Sequence, residues 1–320
     1  MAKEFKILSI DGGGIQGIYP ASYLNYTQEK IGESPIHRYF DMIVGTSTGG
    51  IIALALALEI PTLKILELYK TQGRKIFGWS FRKLSLGLIT PKYGNKTLIQ
   101  EIKSVFGENT VLGDAKCRVC IPSIDITNGR TVVFKTRHHK DYVNDFKMSA
   151  WQVAAATSAA PAYFPAFYDF GTSAYVDGGL WANNPSIIGI AEAVKLGYGL
   201  KEIKVLSLGT GTKIFHKSKI VAKLFGLLGW GSSIVDLIFQ SQSQGAANIA
   251  HYLCSSNYVR IDTALPDAKA NLWFSKFGLD KTSGIDDLEK FALYKAKETF
   301  TKVKSIFFNS KVNPFQPEPL

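Results

Sequence analysis

Twice near its start the chain runs from a short apolar segment through a glycine-rich turn into an apolar helix. Phe5–Ile10 leads into Asp11-Gly12-Gly13-Gly14 and then into Ile18–Ile31. Asp41–Gly45 leads into Thr46-Ser47-Thr48 and then into the Ala/Leu-rich stretch Gly49–Leu58. Strand, turn, helix repeated in this way is the signature of a parallel α/β sheet, because parallel strands need helical crossovers. The same patterning predicts helices at Leu63–Arg74, Lys96–Phe106, Ser149–Ala156, Pro185–Leu196 and Asp286–Val303, and a buried strand at Ile203–Leu208. Arg118–Ile126 and Thr131–Lys135 flank Thr127-Asn128-Gly129, which reads as a hairpin turn. The expected fold is a three-layer α/β/α arrangement around a mostly parallel central sheet. Lys213–Ser232 reads as a looser region, and the proline-bearing tail after Asn313 as extended.

The 320 residues are 46% hydrophobic and 20% charged, enough apolar material for a large core and too much for wholesale disorder. Three cysteines cannot build a disulfide scaffold. Lys plus Arg number 37 against 26 Asp plus Glu, a formal +11 that favours anionic surfaces such as nucleic acid or acidic lipid. The N-terminus lacks the long apolar stretch and small-residue cleavage site of a signal peptide. The longest uncharged window, Met148–Tyr168, carries Gln152, Thr157, Ser158, Pro161 and Pro165, so it is not expected to span a membrane. A cytoplasmic protein that acts peripherally at membranes is the expectation.

Gly12, Gly14 and Gly17 fit the G-x-G-x-x-G spacing of a dinucleotide-binding loop. That fold places an acidic residue at the end of the second strand, where this chain has Gly45-Thr46-Ser47. The same glycines can instead aim backbone N–H groups at one point and hold an oxyanion. Gly45-Thr46-Ser47-Thr48-Gly49 matches G-x-S-x-G between a strand and a helix. In that setting a serine sits in a strained turn with the helix N-terminus behind it, and the flanking glycines leave room for neighbouring backbone. A helix N-cap is the plainer alternative for the same residues.

A nucleophilic serine needs a base. None of the five histidines, His37, His138, His139, His216 and His251, lies in a recognisable motif. Asp177 stands out among the carboxylates, at a strand end before Gly178-Gly179, with Trp181-Ala-Asn-Asn-Pro185 opening a helix behind it. An ordinary Asp-Gly turn accounts equally well for that spacing.

Taken together, Asp11-Gly-Gly-Gly-Ile-Gln-Gly17, Gly45-Thr-Ser-Thr-Gly49 and Asp177-Gly-Gly179 resemble the patatin-like phospholipase family. So do Ala155-Ala-Thr-Ser-Ala-Ala-Pro-Ala-Tyr-Phe-Pro165, Trp181–Pro185 and Leu206-Ser-Leu-Gly-Thr-Gly211. The resemblance implies a Ser-Asp dyad, with Ser47 as nucleophile, Asp177 as base, and Gly12, Gly13 and Gly14 as oxyanion donors. It implies hydrolysis of membrane phospholipid to free fatty acid and lysophospholipid, without metal or other cofactor. Gln16 departs from the pattern, since the family often has Arg or Lys there. Residues 1–212 would form the catalytic core, and 213–320 a C-terminal part of the same domain with a lid or regulatory region. That C-terminal part resembles compact bacterial members, some of them effectors of cyclic-oligonucleotide anti-phage systems. A cyclic dinucleotide activator and a homo-oligomer are therefore open as partners. A constitutive lipase and a nucleotide-binding module on the Gly12–Gly17 loop are the alternatives.

Arg74, Lys75, Arg82, Lys83, Lys92 and Lys96 interleave with Phe77, Trp79, Phe81 and leucines, a pattern that suits an anionic membrane interface. A solvated basic face with its apolar residues turned inward fits as well. Ile220–Trp230, with Lys219 and Lys223, is a second candidate for that interface; Gly226 and Gly229 could make it a mobile lid, and core or oligomer packing fits as well. Cys117 and Cys120 lie in a predicted strand with no second pair to complete a zinc site, so they are expected as small buried hydrophobes. No nucleic-acid-binding motif is evident, and no specific nucleic acid is expected as a partner.

Overall fold

The computed structural model describes residues 4–77, 90–171, 173–212, 233–266 and 276–319. Its strands are β1 (Phe5–Ile10), β2 (Met42–Gly45), β3 (Arg118–Asp125), β4 (Arg130–Lys135), β5 (Phe167–Phe170), β6 (Ser173–Asp177), β7 (Ile203–Leu208) and β8 (Tyr258–Ile261). They form one sheet in the order β5-β6-β3-β2-β1-β7-β8, with β4 paired to β3 off that path. The five central strands, from β3 to β8, are parallel, whereas β4, β6 and β5 join antiparallel.

β1 shows why the sheet is covered on both faces. All six of its residues are buried, as expected of a strand flanked by helices on each side. Phe5 and Ile7 pack with Ile190, Ala193, Ala250 and Cys254, and Leu8 and Ile10 with the opposite, larger core. The larger core is built from α1 (Ile18–Ile31), α2 (Thr48–Ala57), α3 (Thr62–Glu67), α4 (Lys96–Phe106), α5 (Ala150–Thr157) and α8 (Ile285–Phe307). The smaller one is closed by α6 (Ser186–Lys195) and the C-terminal half of α7 (Ser233–Cys254). This is the expected three-layer α/β/α fold. The C-terminal residues join it directly. β8 extends the sheet beyond β7, and α8 runs along α1, where the Tyr23 and Thr299 hydroxyls meet at 2.9 Å.

The antiparallel strands decide where the site forms. β4 occupies one edge of β3 from Cys120 to Asp125. β2 pairs with Arg118–Cys120, and β6 with Ser123–Asp125, so both must use the other edge. They run toward each other along it. Val44 of β2 lies opposite Cys120, and Asp177 of β6 opposite Ser123. Three residues of β3, roughly 10 Å, separate those points, and the turn after β2 projects into the gap.

Most predicted elements fall within a residue or two of those observed. The Thr127–Gly129 turn joins β3 to β4, with Gly129 at φ 62° and the Asp125 carboxylate accepting the N–H groups of Thr127 and Asn128 at 3.1 Å each. The expected helix Leu63–Arg74 differs. α3 ends at Glu67 and continues as a π-helical turn, Leu68–Gln72, before a last short turn at Gly73–Ile76. Such a turn inserts an extra residue and re-aims what it carries. Tyr69, buried within it, donates its hydroxyl to the Thr48 carbonyl at 3.0 Å. Cys117 and Cys120 are free thiols buried in the core, and burial holds both thiols well above their ordinary pKa. The looser region expected at Lys213–Ser232, and the lid expected at Ile220–Trp230, lie outside the described residues.

Candidate active site

Ser47 occupies the turn between β2 and α2 at φ 55°, ψ −123°, a conformation that L-residues rarely adopt. Such strain costs about 1–3 kcal/mol and persists only where surrounding contacts hold it. Those contacts are specific. The Ser47 N–H donates to Thr157 Oγ1 at 3.0 Å, and that hydroxyl donates onward to the Pro122 carbonyl at 2.6 Å. The Thr46 hydroxyl donates to the Ala182 carbonyl. The flanking glycines are required by close approach of backbone. A Cβ on Gly45 would lie 2.1 Å from the Gly49 carbonyl oxygen, and one on Gly49 2.2 Å from that of Ile10. The strained elbow expected from G-x-S-x-G is therefore present, and α2 behind it is buried along its whole length.

Asp177, the last residue of β6, is fully buried. Its Oδ1 accepts the Gly179 N–H at 2.7 Å, and its Oδ2 has no fixed partner. Burial pushes its pKa up to about 7, a rise that polar interaction with the Ser47 side chain and the bond from Gly179 partly offsets. The Ser47 hydroxyl thus acts on this carboxyl, though no hydrogen bond joins it to Oδ2. Both residues line the same cleft of about 670 Å³, counted with its open mouth. Its walls are mostly apolar, including Ile15, Leu68, Phe77, Phe164 and Leu279.

The glycine loop packs against this pair. A Cβ on Gly12 would fall 2.2 Å from Asn183 Oδ1 and 3.2 Å from Ser47 Cβ. Gly14, at φ 56°, lies under the Leu279 carbonyl. One expectation changes here. The Gly12 N–H is already bonded to the Asn183 carbonyl at 3.0 Å, so it is not available to an oxyanion. The Gly13 and Gly14 amides make no hydrogen bond among the described residues, and the Ile15 amide is taken by the Leu279 carbonyl at 2.9 Å. Gln16, which stands where the family often has a cation, is buried with its Nε2 unpartnered.

Behind the loop lies a network that no local motif announced. Arg260 of β8 holds both oxygens of Asp11, at 2.8 and 2.7 Å, and also Asp262 at 2.7 Å and Ser207 Oγ at 2.8 Å. Ser243 of α7 donates to Asp11 at 3.0 Å and accepts from Asn183 Nδ2 at 2.9 Å. Burial pushes the Asp11 carboxyl up to about 6 even against the pull of Arg260. Phe239 of α7 lies against Gly179, where a Cβ would be 2.6 Å from its ring.

The described histidines are elsewhere. His138 is buried against Glu192 at 3.3 Å and His37 lies 3.5 Å from Glu59, and burial lowers the pKa of both. His139 faces Asp141 and His251 is exposed on α7. None of these four lines the cleft, and His216 lies outside the described residues.

Residues 8–188 match the family model for patatin-like phospholipase. The chain belongs to the patatin-like phospholipase family. It is 36% identical over 272 residues to a cGAMP-activated phospholipase of Pseudomonas aeruginosa, a match covering 82% of this chain and 80% of that one. It is 31% identical over 350 aligned positions to a cGAMP-activated phospholipase of Vibrio cholerae, covering 99% and 98%. Patatin-T5 of Solanum tuberosum is 30% identical over 293 positions, covering 80% and 73%. This patatin-like phospholipase is accordingly a hydrolase. Among the described residues, no helix of it is long and apolar enough to cross a membrane.

The basic, aromatic stretch from Arg74 to Lys96 is only partly described. Phe77 packs inward on Tyr93 and Phe164 as part of the cleft wall. Lys92 is paired with Asp280 at 3.3 Å. Residues 78–89, which hold the rest of the stretch, lie outside the described residues.

Proposed function

We propose that this phospholipase cleaves membrane phospholipid by two-step acyl transfer on Ser47, with Asp177 as the base and a cyclic dinucleotide as activator. Ser47 Oγ attacks the ester carbonyl while Asp177 Oδ2 takes its proton. The Gly13 and Gly14 N–H groups receive the oxyanion, and the lysophospholipid leaves with the proton. Water, deprotonated by Asp177, then releases the fatty acid. The observation that carries this reading is the meeting of an unpartnered, buried carboxyl oxygen and a strained serine in one apolar cleft. A carboxyl held near pH 7 by burial is suited to exchanging a proton at neutral pH.

Activation by a cyclic dinucleotide, and with it a place in anti-phage defence, is supported by the names of the Pseudomonas and Vibrio relatives. Peripheral action at the membrane is part of this reading, supported by the lipid substrate and the formal charge of +11.

The test is fatty-acid release from phospholipid vesicles with and without cGAMP. Ser47→Ala and Asp177→Asn are expected to lose on the order of 10³-fold or more in turnover while melting as folded proteins. Wild-type turnover in Asp177→Asn would remove the dyad. Equal rates with and without cGAMP would leave a constitutive lipase.

A further inference from the structure

At the opposite end of the sheet from the cleft, two arginines flank the last bonded step between β3 and the segment that follows β4. The ladder pairs Cys120 with Lys135, and the Thr136 N–H continues it onto the Val119 carbonyl at 3.2 Å. The His138 N–H turns back onto the Thr136 carbonyl at 2.9 Å and ends the ladder there, with Arg118 and Arg137 as the flanking residues. Like charges gathered at one end of a sheet repel. Arg38 and Lys116 stand beside Arg118 around a shallow cleft there. Among the described residues, none of these four cations makes an ion pair. Asp41, the carboxylate that lines the cleft, is bonded to the Lys6 N–H at 2.8 Å.

Three donors of the pair are unsatisfied, while Arg118 Nη1 donates to the Asp41 carbonyl at 3.3 Å. Arg137 is 7% exposed, yet its Nε and Nη1 have no partner, and neither does Arg118 Nε. A guanidinium presents five N–H donors in a planar fork suited to phosphate oxygens. Among the described residues, what covers the cations is neutral backbone and aromatic rings, Phe5 and Phe315 on Arg118 and Phe146 on Arg137. The tail after α8 bonds Val312 N–H to the Arg38 carbonyl at 2.9 Å and Glu318 N–H to the Arg137 carbonyl at 2.8 Å. It lays Phe315 over the Arg118 guanidinium at 5.3 Å and its Pro319 carbonyl on Arg137. Glu318, its acid there, is exposed.

We propose that the Arg118–Arg137 pair, with Arg38 and Lys116, is a binding site for a phosphate-bearing ligand, over which the 312–319 tail forms a displaceable cover. The ligand would supply the negative charge the pair lacks, accept the unpartnered donors, and find in Phe315 a ring able to stack on a base. That the ligand is the cyclic dinucleotide activator rests on the functional reading above. That the site takes phosphate does not.

The experiment titrates the full chain, and its Arg118→Met and Arg137→Met variants, with cGAMP and with pyrophosphate by calorimetry. Phosphatidylglycerol vesicles are tested against phosphatidylcholine vesicles by flotation, and a soluble ester reports the basal activity. The expected result is at least tenfold weaker binding of a phosphate probe in both variants at unchanged basal hydrolysis. If cGAMP and every other probe that binds wild type bind the variants as tightly, the site is wrong and the activator reading stands. If pyrophosphate or vesicles bind through the arginines but cGAMP binds nowhere, the site stands and the activator reading falls. No binding of any probe to wild type overturns the site. Should a variant fail to fold, amide exchange on the wild type decides. Protection by the bound probe at residues 116–119 and 136–138 supports the site, and protection only elsewhere overturns it.

Discussion

Thr157 holds Ser47 by its backbone rather than by its hydroxyl. The Thr157 side chain accepts the Ser47 N–H at 3.0 Å and passes its own proton to the Pro122 carbonyl at 2.6 Å, tying the elbow to the strand that also carries Asp177 opposite Ser123. The serine and the acid are therefore referenced to one strand, β3. Thr157→Val keeps the volume and removes both bonds. An unmet buried N–H costs about 1–3 kcal/mol, so the variant is expected to melt lower and to lose roughly tenfold or more in turnover, with a smaller change in KM. Wild-type turnover at a lowered melting temperature would mean that the bond serves stability alone.

Asp177 gives activity and stability opposite responses to pH. Its folded pKa of about 7 lies above that of an unfolded aspartate. Between those values the native state holds the proton and the unfolded chain does not, so stability is full at low pH and falls as pH rises through 7. Asp11, raised to about 6, adds to the same slope over a lower range. The base, by contrast, works only when ionised, so kcat/KM is expected to rise through about pH 7. In Asp177→Asn the part of the stability slope between pH 5 and 7 should shrink, by up to about 1.4 kcal/mol per pH unit. Denaturant unfolding at several pH values measures this, and an unchanged slope would place the titration elsewhere.

The two halves of the site were unequally legible in the sequence. Ser47 announces itself because the strand, the glycines and the helix that strain it are all within ten residues. Asp177 does not, since what brings it to Ser47 is the shared edge of β3, a long-range register that no local pattern encodes. Only resemblance to a family supplied it. The Gly12 amide shows the same limit. Its bond to the Asn183 carbonyl, 171 residues away, decides that it is spent, and a glycine run cannot show which of its amides are free. Arg260 was invisible for that reason too, because its chief partner, Asp11, lies 249 positions earlier. The π-helical turn at Leu68–Gln72 was missed because helical periodicity persists through it, and only the Tyr69–Thr48 contact reveals the shift.

Arg260 is expected to act through the glycine loop. It holds both oxygens of Asp11, the residue that opens the loop, and joins them to Asp262 and Ser207. Removing one member of a buried pair leaves an uncompensated charge and costs about 3–5 kcal/mol. Arg260→Met should therefore melt markedly lower. The double variant Arg260→Met/Asp11→Asn, which removes the more deeply buried carboxylate and leaves only Asp262, held by the Gly211 and Thr263 N–H groups, should recover much of that loss. If the pair also positions the loop, turnover on vesicles stays low in the double variant even where stability returns. Full activity in the double variant would limit the pair to a stabilising role.

The glycines divide by what surrounds them, and two substitutions should show it with opposite signs. A Cβ on Gly49 would meet the backbone oxygens of Ile10 and Asp11 at 2.2 and 2.6 Å. Neither can move without shifting β1 or the glycine loop, so Gly49→Ala is expected to push α2 away from β1 and to displace Ser47 with it. Overpacking of this kind costs about 1–3 kcal/mol, and a shift of 1 Å at the nucleophile about 10²-fold in rate. Gly245, in α7, has nothing within 4 Å of where its Cβ would be. Helical alanine is favoured over glycine by about 0.5–1 kcal/mol. Gly245→Ala is expected to raise the melting temperature by roughly 1–4 °C and to leave turnover unchanged, because that position faces solvent while Phe239 and Ser243 of the same helix face the site. Melting curves and vesicle hydrolysis on both variants check the pair. A destabilised Gly245→Ala would mean that this face of α7 is covered in solution, and an unaffected Gly49→Ala would mean that the elbow is less tightly fixed than its contacts require.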